Sequence, residues 1–217
     1  MSRGKIIVIE GSDGSGKNTQ TLASLKLARE NNYKVEMLSF PDYSSRFGKI
    51  IMDYKEGKYG DPVKINPYDI SAIYALDRFE KVPHIEELIN NKTNLIIDRY
   101  TESNLAHQGC KLNGDERKKF IDWNLTLENE VLGIPKSDLV LYLDVPPEHS
   151  EQLMIKRNKD GHEKDIPYRL KVYSMYKELS KNKNWITVEC VNKDGILLSP
   201  EDITKIIWNK IEPILAK

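Results

Sequence analysis

Five short apolar runs punctuate the chain, at residues 5–10, 35–40, 94–98, 139–144 and 185–191. Runs this short and this rich in aliphatic residues predict strands covered on both faces. Between them lie longer stretches with helical spacing, at residues 19–31, 67–90, 114–131, 148–157, 167–182 and 200–215, several opened by Pro, Asp or Ser. This alternation predicts an α/β fold, a five-stranded parallel sheet with right-handed crossovers and helices on both sides, three layers in all. Ligands of such a sheet bind at the carboxyl ends of its strands. Residues 158–165 are the most polar and least periodic stretch, which predicts a short lid over about residues 156–168 rather than a linker. A chain of 217 residues fits one domain, 1–217, with that insertion.

Composition narrows the partners. Lys and Arg together number 33, as do Asp and Glu, with no long run of one sign. Nucleic acid and membrane surfaces are therefore not expected as partners. The apolar run after Lys5 is only four residues, Ile6 to Ile9, too short for a signal segment or a membrane span, which predicts a cytoplasmic protein. Cys110 and Cys190 lack metal-ligand spacing and are expected to be reduced thiols.

The strongest chemical signal is Gly11-Ser12-Asp13-Gly14-Ser15-Gly16-Lys17-Asn18-Thr19, between the first predicted strand and the first predicted helix. Glycines there let the backbone turn tightly and aim N–H groups inward, and the helix adds its positive end, so the loop can cradle the polyphosphate of ATP. Lys17 would reach the β- and γ-phosphates. The usual Ser or Thr after the lysine, a magnesium ligand, is replaced by Asn18, whose amide oxygen can face a magnesium-bound water.

A phosphate loop serves switches, motors and small-molecule kinases alike. A guanine-binding Asn-Lys-x-Asp string is absent, since 90–93 and 192–194 do not supply it. Instead the chain carries Phe40-Pro41-Asp42-Tyr43 after the second strand, Asp77-Arg78-Phe79-Glu80 in a helix and Asp98-Arg99-Tyr100 after the third strand. Together with Asp13, Gly16-Lys17-Asn18-Thr19-Gln20 and the 139–144 strand, these strings resemble the thymidylate kinase family, from Ile6 to about Ile207.

The resemblance implies a P-loop kinase fold and transfer of a phosphoryl group from ATP, with Mg2+, to dTMP. It implies that Asp13 approaches the acceptor sugar and phosphate, that Arg78 hydrogen-bonds the base, that Tyr43 contacts the acceptor phosphate, and that Ser103, Asn104, His107 and Gln108 border base and sugar. Arg99 has the planar fork that grips a phosphate bidentately and serves in catalysis with Lys17. Tyr74, four residues before Arg78, could stack on the base. Phe40 and Pro41 belong to the acceptor wall, where a cis peptide is the family pattern and trans the general one. An intrahelical ion pair for Arg78, core packing for Tyr74 and His107, and surface polarity for Asn104 and Gln108 are the structural alternatives.

Asp98 can face a magnesium-bound water or cap a turn. Asp42 stands where some members carry arginine; Arg46 could replace the lost cation or stay solvated. Transition-state charge is expected from the lid, with Arg157 the best candidate beside Lys156, Lys159 and Lys164. Glu163 and Asp165 are candidates to orient magnesium-bound water, and Tyr168 and Arg169 can simply open the next helix. Adenine is expected near the turn at 192–195, with no residue assigned. A homodimer through the helices bearing Ile70, Ile73, Phe120 and Trp123 is implied by the resemblance, and intramolecular packing explains the same residues. Two rivals are a kinase of the same fold with another monophosphate or nucleoside as acceptor, and a non-catalytic ATP-binding regulator.

Overall fold

The structure, a computed structural model, describes residues 3–155 and 161–216. Strands β1 (Ile6–Glu10), β2 (Val35–Ser39), β3 (Asn94–Asp98), β4 (Leu139–Asp144) and β5 (Trp185–Glu189) form a parallel sheet in the order β2-β3-β1-β4-β5. Its helices are α1 (Lys17–Glu30), α2 (Arg46–Lys55), α3 (Pro67–Phe79), α4 (Val82–Asn90), α5 (Thr101–His107), α6 (Gly114–Leu125), α7 (Pro147–Met154), α8 (Gly161–Lys164), α9 (Ile166–Leu179) and α10 (Pro200–Leu215).

Successive strand residues face opposite sides of the sheet, and the core divides accordingly. Ile6, Val8, Leu95, Ile97, Val140 and Tyr142 pack with residues of α4, α5 and α9. Ile7, Ile9, Ile96, Leu139 and Leu141 pack with α1 and α10. Each such side chain, fully buried, contributes roughly 1.5–3 kcal/mol. The expectation of strands covered on both faces holds for β1, β3 and β4 but not for β2 and β5, which sit at the two edges and expose alternate residues such as Glu36 and Thr187.

Three helical expectations are corrected. The stretch 67–90 is two helices, α3 and α4, because Pro83 lacks an N–H and its ring would clash with the carbonyl one turn back. The stretch 114–131 is α-helical only to Leu125 and continues in π geometry over Thr126–Val131, which turns Glu128 inward. Helix α2 has no counterpart among the predicted helices; Ser45 caps it, accepting from the Gly48 N–H at 2.8 Å.

Ile70 and Phe120, expected at a dimer contact, are buried inside the chain, while Trp123 lies half-buried against Tyr68 and Phe120. Cys110 and Cys190 belong to the clusters on opposite faces of the sheet, so their sulfurs cannot meet. Among the described residues no helix is long and apolar enough to cross a membrane.

Candidate functional site

Strand register brings three loops together. Ile9 lies opposite Asp98 and Ser39 opposite Asp98, the Phe40 N–H donates to the Asp98 carbonyl at 3.0 Å, and the Arg99 N–H to the Ile9 carbonyl at 3.2 Å. The phosphate loop, the Phe40-Pro41 corner and Arg99 therefore share one edge of the sheet. The Phe40-Pro41 peptide is cis.

Lys17 is buried and folds back over its own loop, donating to the carbonyls of Gly11 at 2.9 Å and Ser12 at 2.7 Å, with Ser15 Oγ at 3.4 Å. Burial, then the Arg99 charge, pushes its pKa down to about 8. Gly14 has a φ of 79°, and a Cβ there would lie 2.6 Å from the Ser150 carbonyl of α7, so the loop requires glycine twice over. Gly16 caps α1 in the left-handed conformation without a side-chain acceptor, leaving the first N–H groups of the helix directed at the cleft.

Arg99 also has a left-handed backbone, φ 62°, a conformation that costs a non-glycine residue energy. The buried Glu10 carboxylate sustains it, accepting from the Tyr100 N–H at 2.9 Å, from Ser103 Oγ at 2.8 Å and from the Tyr176 hydroxyl at 2.7 Å. So held, Arg99 donates Nη2 to Asp13 Oδ1 and Nη1 to His107 Nε2, the latter at 3.2 Å. Because arginine can only donate, His107 carries its proton on Nδ1, which donates to the Tyr168 hydroxyl at 3.2 Å; that hydroxyl donates to the His107 carbonyl at 3.0 Å. Burial drives the His107 pKa well below its ordinary value, keeping the ring neutral. Burial also works to raise Asp13, but the Arg99 charge, with Lys17 and Lys55 behind it, holds the carboxyl well below the usual range.

Two clefts meet here. One, with an empty volume of ≈ 1170 Å3, is lined by Asp13, Gly14, Gly16, Lys17, Asn18 and Thr19 of the phosphate loop together with Asp98, Leu153 and Glu163. The other, ≈ 530 Å3, is lined by Tyr74, Arg78, Ser103, Asn104, His107, Gln108 and His162. Asp13, Phe40, Pro41, Tyr43, Lys55 and Arg99 belong to both.

Arg78 is 1% exposed and forks onto Glu128, Nε to Oε2 at 2.7 Å and Nη2 to Oε1 at 2.8 Å; neither the intrahelical pair nor a surface role describes it. Asn104 spends its Nδ2 on the Ser71 carbonyl at 3.1 Å and Glu128 Oε1 at 3.0 Å, so its donor is not available to a ligand. Gln108 is 1% exposed and its Oε1 has no hydrogen-bond partner among the described residues. Ser103 gives its hydroxyl proton to Glu10.

Other expectations move. Ser12 and Ser15 are buried behind the loop and contribute main chain to it. Asp165 caps α9, accepting from the Tyr168 N–H at 2.8 Å, and is absent from the cleft walls; Tyr168 and Arg169 form the first turn of that helix, the arginine donating to Glu151 and, at 3.1 Å, to Ser150 Oγ. Arg46 is exposed on the first turn of α2 and lines neither cleft. Arg157, with Lys156 and Lys159, lies outside the described residues. The 192–195 turn is tied to α7 by a 2.8 Å contact between His149 Nε2 and the Gly195 carbonyl. Lys55, His162 and the Glu10 brace escaped sequence reading. Glu10 alone carried a signal, a carboxylate ending a strand otherwise wholly apolar.

The profile of the family described as Thymidylate kinase matches residues 9–198. This chain belongs to the thymidylate kinase family. The human thymidylate kinase is 28% identical over 93% of this chain and 92% of its own length, and that of Schizosaccharomyces pombe 31% identical over 90% and 86%. The solved structure of thymidylate kinase from Candida albicans superimposes with a TM-score of 0.78 at 25% identity, covering 98% of this chain and 93% of that one. The family match takes in all three loops of this site, the phosphate loop from Gly11 included. Family membership makes the chain an ATP-dependent nucleotide kinase.

Proposed function

We propose that the chain transfers the γ-phosphoryl group of ATP to dTMP, giving dTDP and ADP. The observation that carries this reading is the placement of Arg99 and Asp13 in the wall shared by a phosphate-loop cleft and a second cleft. An oxygen of the acceptor phosphate attacks the γ-phosphorus while the bond to the β–γ bridging oxygen breaks, leaving ADP. Lys17 leaves the loop carbonyls for the β- and γ-phosphates, and Gly11 to Thr19 present N–H groups to them. Arg99 grips the acceptor phosphate and offsets the charge that develops between the two nucleotides. Arg157 supplies further charge from the lid.

The inner cleft suits a pyrimidine dione. Arg78 donates towards O4, and Gln108 Oε1, without a partner among the described residues, accepts from N3–H; cytosine presents the opposite pattern at both atoms. Tyr74, half-buried in the same wall, stacks on the ring, and His107 lies against the sugar.

Magnesium, bound with ATP, neutralises phosphate charge during transfer. Asp98 fits this use: its Oδ1 is buried without a partner among the described residues and the residue lines the phosphate-loop cleft with Asn18, Thr19 and Glu163. A cation that keeps several waters needs only one or two carboxylates, so this sparse set suits magnesium held through water. A cytoplasmic homodimer completes the reading, with half-exposed Phe79 and Leu125 at the ends of α3 and α6 as contact residues.

ADP release with Mg-ATP and, separately, dTMP, dUMP, other monophosphates and thymidine tests the proposal. dTMP should give the highest kcat/KM; a different best acceptor overturns the base assignment, and no acceptor-dependent release overturns the kinase reading.

A further inference from the structure

The wall shared by the two clefts holds three charged side chains: Asp13, Arg99 and Lys55. A nucleoside monophosphate brings nearly two negative charges to that junction at neutral pH. Asp13 adds a third, and Arg99 is already engaged with it. One guanidinium leaves such an assembly short of positive charge. The loop after β2 does not supply the missing cation: Asp42 is itself acidic and paired to Lys81 at 2.8 Å, and Arg46 lines neither cleft.

Lys55 is differently placed. It occupies the last turn of α2, half-buried, and its Nζ donates to the Tyr43 hydroxyl at 3.2 Å while standing 5.9 Å from the centre of the Tyr43 ring. Tyr43 thus steers the ammonium towards the junction, and the charge is felt at Asp13, whose carboxyl it helps to keep ionised. Helix α2 is anchored at its other end to the acceptor loop through Ser45, whose hydroxyl donates to Asp77 at 2.6 Å. Asp77 in turn accepts from the Asp42 N–H at 3.0 Å. The lysine is therefore carried on a rigid element that also shapes the acceptor wall.

Resting on the acceptor reading above, we propose that Lys55 is the second cation of the acceptor-phosphate clamp, facing Arg99 across the shared wall. As a compact point charge on a flexible stem, it binds one oxygen of the acceptor phosphate and leaves fork-shaped recognition to Arg99.

Calorimetric titration of Lys55→Met and Lys55→Arg with dTMP, thymidine and Mg-ATP tests this, with thermal melting to establish folding. A charge-assisted contact of this type corresponds to about 10- to 100-fold in affinity. Lys55→Met should weaken dTMP by that factor, leave thymidine and Mg-ATP within about twofold, and be largely repaired by Lys55→Arg. Equal weakening of dTMP and thymidine, an unchanged dTMP affinity, or weakening of Mg-ATP in its place overturns the assignment. If the unmodified protein binds another monophosphate in place of dTMP, the acceptor reading fails; the Lys55 contrast is then read with that monophosphate and its nucleoside.

Discussion

Arg99 and Asp13 form an ion pair at the point where the two clefts join, and the same guanidinium donates to His107 at 3.2 Å, so one side chain spans carboxylate, imidazole and both ligand spaces. A lysine cannot reproduce that fork. Arg99→Lys should lower kcat/KM for the acceptor by about 100-fold or more while ATP affinity stays within about twofold. Asp13→Asn should also lower it, and the double variant should lose less than the product of the two, because both substitutions break one unit. Steady-state kinetics on the three variants measures the coupling.

The Arg78–Glu128 pair is buried on both sides, with 2% and 0% of the side chains exposed. Removing one partner strands a charge in the interior, so Glu128→Ala should cost about 3–5 kcal/mol in denaturant unfolding. It should also raise KM for the acceptor, because Arg78 loses the fork that aims it.

Lys17, with a pKa near 8 in the nucleotide-free protein, makes ATP binding pH-dependent. The ammonium form binds phosphate, so affinity should be level below the folded pKa and fall by up to about tenfold per pH unit above it. Stability moves the other way. The folded pKa lies below the unfolded value of 10.5, so the unfolded chain binds more protons between pH 8 and 10.5 and this group's contribution rises with pH across that window. Lys17→Met should flatten both profiles, measured by ATP titration and denaturant melts at each pH.

Gly48 touches the acceptor loop so closely that a Cβ would lie 1.8 Å from the Asp42 carbonyl oxygen. Main chain must move to admit it, so Gly48→Ala should destabilise by about 1–3 kcal/mol. Acceptor KM should rise with ATP affinity unchanged, since the displaced loop carries Phe40, Pro41 and Tyr43.

Much of this architecture was written locally. The phosphate loop, the strand-end positions of Asp98 and Arg99 and the limits of α10 depend on short-range turn chemistry and periodicity, which sequence spacing determines. Short or interrupted elements were harder to place: α2 carries Phe47, Ile50, Ile51 and Tyr54 at helical spacing but runs for only ten residues, and the break between α3 and α4 hung on a single proline.

What only the tertiary structure decided is which distant groups meet. Arg78 finds Glu128 fifty residues away because a π-helical turn rotates that carboxylate inward. Asn104 is turned from ligand donor to scaffold by the same carboxylate. Lys55, an unremarked charge in a polar stretch, gains its place because Ser45 and Asp77 dock α2 beside the acceptor loop. Spacing along the chain determines hydrogen bonds and periodicity within a few residues, whereas the meeting of charges from separate elements depends on how those elements pack.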